Sequence, residues 1–283
     1  MHYTAASELI QEFSAFAGKD VDDERIDLVR AALVIARTEY PALDTEVYAT
    51  RVDELAQRVS SMAPDLHPQR TLTALNHVLF AEGRLRGNRE DYYDPRNSFL
   101  NDVFDRGLGI PITLSIVYME VARRAGFPLS GVGMPGHFLL KHYSAEGDET
   151  LIDCFNRGDI LTRQECQSRL DEIYSGEMKL QPEFLHPISR RQILVRMLNN
   201  LKTVYLSTRN FRKALAIADL ILVIYPTSAE DVKQRALLRY SMGLNRLAAE
   251  DLDEYLRLCP KAKDAEEIRQ MSLSIRRMIA LMN

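Results

Sequence analysis

The sequence has few cysteines, and those present form no pattern. Among its 283 residues there are three, Cys154, Cys166 and Cys259, an odd number without a Cys-X-X-Cys pair. A disulfide framework needs an even and regularly spaced set, and a structural zinc site needs closely spaced ligands. The sequence therefore predicts neither, and its cysteine usage favours a reducing compartment.

Long hydrophobic runs and an excess of charge of one sign are also missing. No stretch reaches the ~18 apolar residues that cross a bilayer, and the N-terminal MHYTAASELIQEF has no basic segment followed by an apolar run. The 36 basic and 40 acidic side chains leave a net charge of −4, which gives no attraction to nucleic acid or to an anionic membrane. We expect a cytoplasmic protein that binds neither.

Motifs that hold nucleotides or metals are absent as well. The Gly-Leu-Gly at 107–109 lacks the third glycine of a dinucleotide-binding loop, and there is no Walker lysine. His137, His142 and Asp153 could be combined into a metal set, but the two histidines are five apart on a predicted strand and so face opposite sides. We expect no metal site and no cofactor.

The first part of the chain has the pattern of successive helices. From residue 5 to residue 83, apolar side chains recur at helical spacing, and turn-forming residues interrupt them at 18–20, 40–41 and 63–65. The segment 87–110 is rich in Gly, Asn, Asp and Pro, which predicts a structured loop that leads into short helices.

A helix and then strands are predicted after this loop. Pro111 suits the first position of a helix, and Gly126 supplies its stop. Short apolar segments follow near 129–134, 137–143 and 150–155, and the turns between them are too short for parallel crossovers. Helices followed by an antiparallel meander are typical of an α+β domain.

The last hundred residues have a repeat. The pattern breaks at QPEFLHP, residues 181–187, and helical spacing then continues to the end of the chain. We predict an α+β domain at 1–180 and an all-α region at 188–283. Residues of matching type lie 34 positions apart: Pro226 and Pro260, Leu198 and Val232, Ala214 and Ala248, and Ala218 and Leu252. This is the period of the tetratricopeptide repeat, with an ordinary helical bundle as the alternative.

The segment NSFLNDVFDRGLGIPITLSIVYMEVARRAGFPLSGVGMPGHFLLKHY, from Asn97, and the later LIDCFNRG resemble the transglutaminase-like superfamily. They are more similar still to the bacterial SirB-type family, in which such a domain precedes tetratricopeptide repeats. In the superfamily a cysteine at the start of a buried helix is the nucleophile, a histidine on the next strand is its base, and an aspartate orients the histidine. The resemblance assigns the last two roles to His137 and Asp153.

The position that corresponds to the nucleophilic cysteine is Pro111, which has no ionisable group. Thr113 is predicted to point to the far side of the helix, so it is a poor replacement. Cys154 follows Asp153, but alternation along a strand sends its side chain to the opposite face. We therefore expect a buried, inert thiol at Cys154, with a nucleophilic role as the alternative.

The remaining candidates surround this site. Asn97 and Asn101 are predicted to lie four apart on one helical turn and to brace the loop that carries Tyr92. The candidate binding residues are therefore Tyr92, Asn97, Asn101, Pro111 and Thr113.

Two functions remain open. The preferred hypothesis is a non-catalytic transglutaminase-like domain fused to a short repeat array, acting as an interaction or regulatory module whose protein or peptide partner binds the repeats. The alternative is a hydrolase or acyl-transferase in which His137 is the general base, Asp153 orients it, and Cys154 or a water molecule attacks the substrate.

Overall fold

A computed structural model describes residues 2–144 and 146–282 of the chain, with side chains described for residues 7–144 and 146–281. The helices of this part are α1 (His2–Ala17), α2 (Leu28–Ala36), α3 (Thr45–Met62), α4 (Pro68–Asn76), α5 (Leu100–Arg106), α6 (Pro111–Arg124), α7 (Arg163–Tyr174), α8 (Arg190–Ser207), α9 (Phe211–Ile224), α10 (Ala229–Ser241), α11 (Asn245–Leu258) and α12 (Ala265–Met282). The strands are β1 (Arg86–Gly87), β2 (Leu108–Gly109), β3 (Ser130–Val132), β4 (Leu139–Tyr143), β5 (Glu149–Asp153) and β6 (Asp159–Leu161). None of the helices described is both long and apolar enough to cross a membrane.

The chain divides into two compact units. One spans Asp23–Met197, and the other combines the residues before Asp23 with those from Leu198 onward. These limits differ from the predicted domains, 1–180 and 188–283, at both ends. The first helix, α1, packs against α9 and so belongs with the repeats. The segment before α8 instead joins the sheet of the other unit, because the backbone N–H of Ile188 donates to the carbonyl of Gly131.

Helix α6 is the centre of the α+β unit. It begins at Pro111 and is buried from Pro111 to Ala122. The Thr113 hydroxyl accepts a hydrogen bond from the backbone N–H of Ile110 at 3.1 Å and so caps the first turn. Gly126 follows the helix with a φ of 88°, a conformation that glycine adopts without a steric penalty. The predicted start and stop of this helix are both confirmed.

The sheet of this unit is an antiparallel meander in the order β3-β4-β5-β6, which confirms the α+β class. Leu140 pairs with Ile152, and Lys141 pairs with Leu151. Because successive side chains alternate between faces, Leu139 and Leu151 pack on the side of α7, together with Leu170. A two-residue parallel pair, β1 with β2, was not predicted.

The repeat unit contains the part of α8 from Leu198 onward, α9, the hairpin α10–α11 and α12. Ala214 and Ala248 are fully buried, as close helix crossings require. Pro226 comes two residues after the end of α9, and Pro260 comes two residues after the end of α11. The 34-residue spacing therefore places equivalent residues at equivalent points of two successive repeats.

Candidate functional site

His137 and Asp153 meet at one end of the sheet. A turn containing Gly136, with φ of 68°, leads into His137 just before β4, and Asp153 is the last residue of the neighbouring β5. His137 Nε2 lies 3.0 Å from Asp153 Oδ1, although the ring N–H is not aligned with that oxygen as in a hydrogen bond. The structure thus brings together the two residues that the resemblance assigned as base and orienter.

Asp153 has a second set of partners, in the turn that follows it. Its Oδ1 accepts hydrogen bonds from the backbone N–H groups of Phe155 and Asn156, at 3.1 and 3.3 Å. Its Oδ2 accepts one from Asn156 Nδ2 at 2.6 Å. Burial alone would raise the pKa of this carboxyl, but His137 and Asn156 outweigh burial and hold its pKa below the usual range. Asp153 therefore caps the turn in addition to contacting the histidine.

A cleft of about 170 Å³ opens beside this pair. The residues that line it include Arg89, Tyr92, Pro111, His137, Phe155 and Arg169. Pro111 forms the start of α6 and lines the cleft together with the histidine. It brings neither a nucleophilic atom nor a backbone N–H to the cleft.

Cys154 lies outside this cleft. It begins the short turn after β5 and is completely buried. Burial raises the pKa of its thiol, although the nearby Ser115 hydroxyl of α6 acts in the opposite direction. Cys154 is not among the residues that line the cleft.

The predicted binding residues separate into two groups. Tyr92 and Pro111 line the cleft, whereas Asn97, Asn101 and Thr113 are buried and do not line it. Asn97 Nδ2 donates to the carbonyls of Asp91 and Tyr92, at 2.7 and 3.2 Å, and so connects to this loop.

The predicted helical turn shared by Asn97 and Asn101 does not form. Phe99 between them is extended, with φ of −95° and ψ of 122°. Thr113 points away from the cleft, and its hydroxyl donates to the carbonyl of Asn97 at 2.7 Å.

Two arginines in the cleft were missed by sequence reasoning. The Arg89 guanidinium lies over the Phe155 ring, 5.4 Å from its centroid, and donates a hydrogen bond to the Asn156 side chain. On α7, Arg169 Nε lies 3.8 Å from Asp153 Oδ2. Phe155 and Asn156 belong to the LIDCFNRG segment and could have been found there. Arg89 and Arg169 come from distant parts of the chain, and only tertiary packing brings them together.

Comparison with known proteins places this geometry in a family. The model of the transglutaminase-like superfamily matches residues 46–199, and a tetratricopeptide repeat model matches residues 201–272. The UPF0162 protein of Xylella fastidiosa (strain 9a5c) is 39% identical over 254 residues, which cover 88% of this chain and 90% of that protein. The chain belongs to the UPF0162 family. The predicted order, a transglutaminase-like domain followed by tetratricopeptide repeats as in the SirB-type family, is confirmed.

Other relatives of this UPF0162 chain show how far the similarity extends. A UPF0162 protein of Vibrio cholerae serotype O1 is 25% identical over 251 residues, 88% of this chain and 93% of that protein. Human F-box only protein 21 is 32% identical over 199 residues, which cover 65% of this chain but 30% of that protein. No solved structure matches the chain.

Proposed function

We propose that this UPF0162 protein is a cytoplasmic pseudoenzyme, a non-catalytic transglutaminase-like domain that acts with its repeats as an interaction or regulatory module. The observation that carries the proposal is Pro111 in the cleft beside His137. A proline supplies no group that could attack an acyl carbon, so the covalent route of the superfamily lacks its nucleophile.

Pro111 removes a second element of acyl-transfer chemistry. Backbone N–H groups at the start of a helix stabilise the oxyanion that forms when a carbonyl is attacked. The residue at the head of α6 has no N–H to donate. Attack by water, the route left to the alternative hypothesis, would therefore also lack this donor.

The alternative hydrolase or acyl-transferase function draws its support from the His137–Asp153 contact. Asp153, however, makes three hydrogen bonds in the turn after β5, which give it a structural role without catalysis. Cys154 would need to ionise and reach the cleft, whereas its thiol is buried and its pKa is raised.

The repeat unit offers a surface for a protein partner. Leu237 and Tyr240 lie three residues apart on α10, and each is about two fifths exposed. Neighbouring exposed apolar side chains on a helix are typical of protein-binding surfaces. A partner that packs on the repeats is consistent with this feature.

Alkylation of the cysteines tests the proposal. When the full-length protein is treated with iodoacetamide at pH 7, peptide mass spectrometry should find label on the partly exposed Cys259 and none on Cys154. Burial raises the pKa of Cys166 to about 11, so its labelling should increase only at strongly alkaline pH. Unfolded protein, in which all three thiols react, is the control. Rapid labelling of Cys154 near neutral pH that is lost in His137→Ala would support the enzyme instead.

Binding of a partner to the repeats also distinguishes the two hypotheses. Variants Leu237→Glu and Tyr240→Glu should weaken recovery of the partner complex from cells at least tenfold, because each places a charge in the apolar surface. His137→Ala should leave recovery unchanged. Arg246→Glu, at an almost fully exposed position of α11 outside this surface, is the matched control. Loss of the complex in His137→Ala alone would contradict a repeat-based partner.

A further inference from the structure

The cleft beside His137 presents two guanidinium groups, those of Arg89 and Arg169, although the Asp153 carboxylate, 3.8 Å from Arg169, offsets part of this charge. Arg89, Arg169 and His137 line it, and the one carboxylate among its lining residues is Glu172. The Glu172 side chain is 67% exposed, and its Oε2 lies 3.4 Å from Arg169 Nη1. Such an exposed, loosely paired carboxylate screens the arginine weakly. The cleft therefore favours an anionic ligand.

His137 has unused hydrogen-bonding capacity. Its side chain is only 8% exposed. Its Nε2 lies 3.0 Å from Asp153 Oδ1 without the alignment of a hydrogen bond, so this nitrogen has no hydrogen-bond partner among the described residues. Buried polar groups in native proteins are normally hydrogen-bonded. A ligand in the cleft would supply the missing acceptor or donor.

The start of α6 adds to the positive potential. This helix has 14 residues and begins at Pro111 in the wall of the cleft. Its aligned peptide dipoles place a partial positive charge at this end. The helix terminus, two guanidinium groups and an imidazole thus act on the same small volume.

The size and walls of the cleft indicate which anion fits. A volume of about 170 Å³ holds one side chain or one chain terminus. The rings of Tyr92 and Phe155, with centroids 6.1 Å apart, provide apolar walls for the carbon atoms attached to the charged group. A guanidinium binds a planar carboxylate through two parallel hydrogen bonds. A bare inorganic anion would leave the aromatic walls unused.

We propose that the cleft binds a peptide carboxylate, either an acidic side chain or a chain terminus, in contact with Arg169, Arg89 and His137. This inference rests on the proposed function, because it gives a binding role to a site that holds no nucleophile. The bound carboxylate is retained and undergoes no reaction. The cleft would then recognise an acidic or terminal residue of a peptide.

Calorimetric titration of the full-length protein with small probes tests the proposal. N-acetylglutamate α-amide presents a side-chain carboxylate, N-acetylalanine presents a terminal carboxylate, and N-acetylglutamine α-amide is the neutral isostere. At least one carboxylate should bind saturably, and the neutral amide should bind at least tenfold more weakly. The probe that binds identifies the source of the carboxylate.

Variants connect the binding to the cleft. Arg169→Gln should weaken carboxylate binding at least tenfold, whereas Arg163→Gln should not, because Arg163 is on the same helix but does not line the cleft. Arg89→Gln, on an exposed loop, is a second variant that keeps the test valid if loss of Arg169 impairs folding. Both cleft variants binding like the wild type would overturn the proposal.

Other outcomes overturn it as well. These are the absence of binding by either carboxylate, equal binding of the neutral amide, and stronger binding of inorganic phosphate than of the carboxylates. Failure of the proposed function has a different signature, which is release of ammonia from the glutamine probe. The two failures can therefore be told apart in the same set of solutions.

Discussion

The variant Pro111→Cys should gain a thiol that iodoacetamide alkylates at pH 7 about 100 times faster than it alkylates Cys154. The new side chain would line the cleft, beside His137 and at the positive end of α6. Both neighbours stabilise a thiolate, whereas Cys154 is buried and its pKa is raised. The helix should tolerate the change, because proline at its first position makes no backbone hydrogen bond.

The pH dependence of this reaction shows whether the histidine acts on the thiol. In Pro111→Cys the labelling rate should already be high below the ~8.5 at which a free thiol ionises, and adding His137→Gln should shift the profile to higher pH. Pro111→Ser is the control without a thiol. A profile that matches a free thiol and is indifferent to His137→Gln would show that the cleft does not activate a nucleophile at this position.

Asp153→Ala should lower the free energy of unfolding by about 3 kcal/mol. The substitution removes three hydrogen bonds from the turn after β5 and leaves His137 and Asn156 without their buried partner. Urea unfolding followed by circular dichroism measures the loss. Asp159→Ala is the matched control, because Asp159 pairs with Asp153 in the β5–β6 register but is exposed. Its effect should stay within about 0.5 kcal/mol.

The stability difference should also depend on pH. The pKa of Asp153 is lower in the folded protein than in the unfolded chain, so its charge stabilises the fold above the unfolded value of about 3.9. This contribution is lost as the pH falls through the folded pKa. The difference between the wild type and Asp153→Asn should therefore be largest near neutral pH and shrink below about pH 4. A constant difference across this range would contradict the assigned hydrogen bonds.

Sequence reasoning succeeded where local chemistry decides the structure. Proline and glycine set the limits of α6 because their backbone preferences act at single residues. The repeats were found from a 34-residue period, which is a property of the chain itself. The contact between His137 and Asp153 could not be predicted from local chemistry. The family resemblance supplied the pairing, and the antiparallel meander made it geometrically possible.

The features that the sequence did not predict depend on packing between residues that are far apart in the chain. Arg89 and Arg169 are 80 positions apart, and no local pattern marks either as a neighbour of the cleft. The partner of α1 could not be predicted, because an amphipathic face shows that a helix packs without showing against what. The extended Phe99, which separates Asn97 from Asn101, breaks a helical spacing that looked continuous in the sequence.

The turn after β5 gives Asp153 a structural role, so an aspartate at this position of a relative does not by itself indicate catalysis. Any chain that folds with this turn needs an acceptor where Asp153 caps the backbone of Phe155 and Asn156. The turn needs this acceptor whether or not the chain catalyses a reaction. A histidine and a downstream aspartate therefore do not by themselves identify a hydrolase. The residue that discriminates is the one at the head of the buried helix.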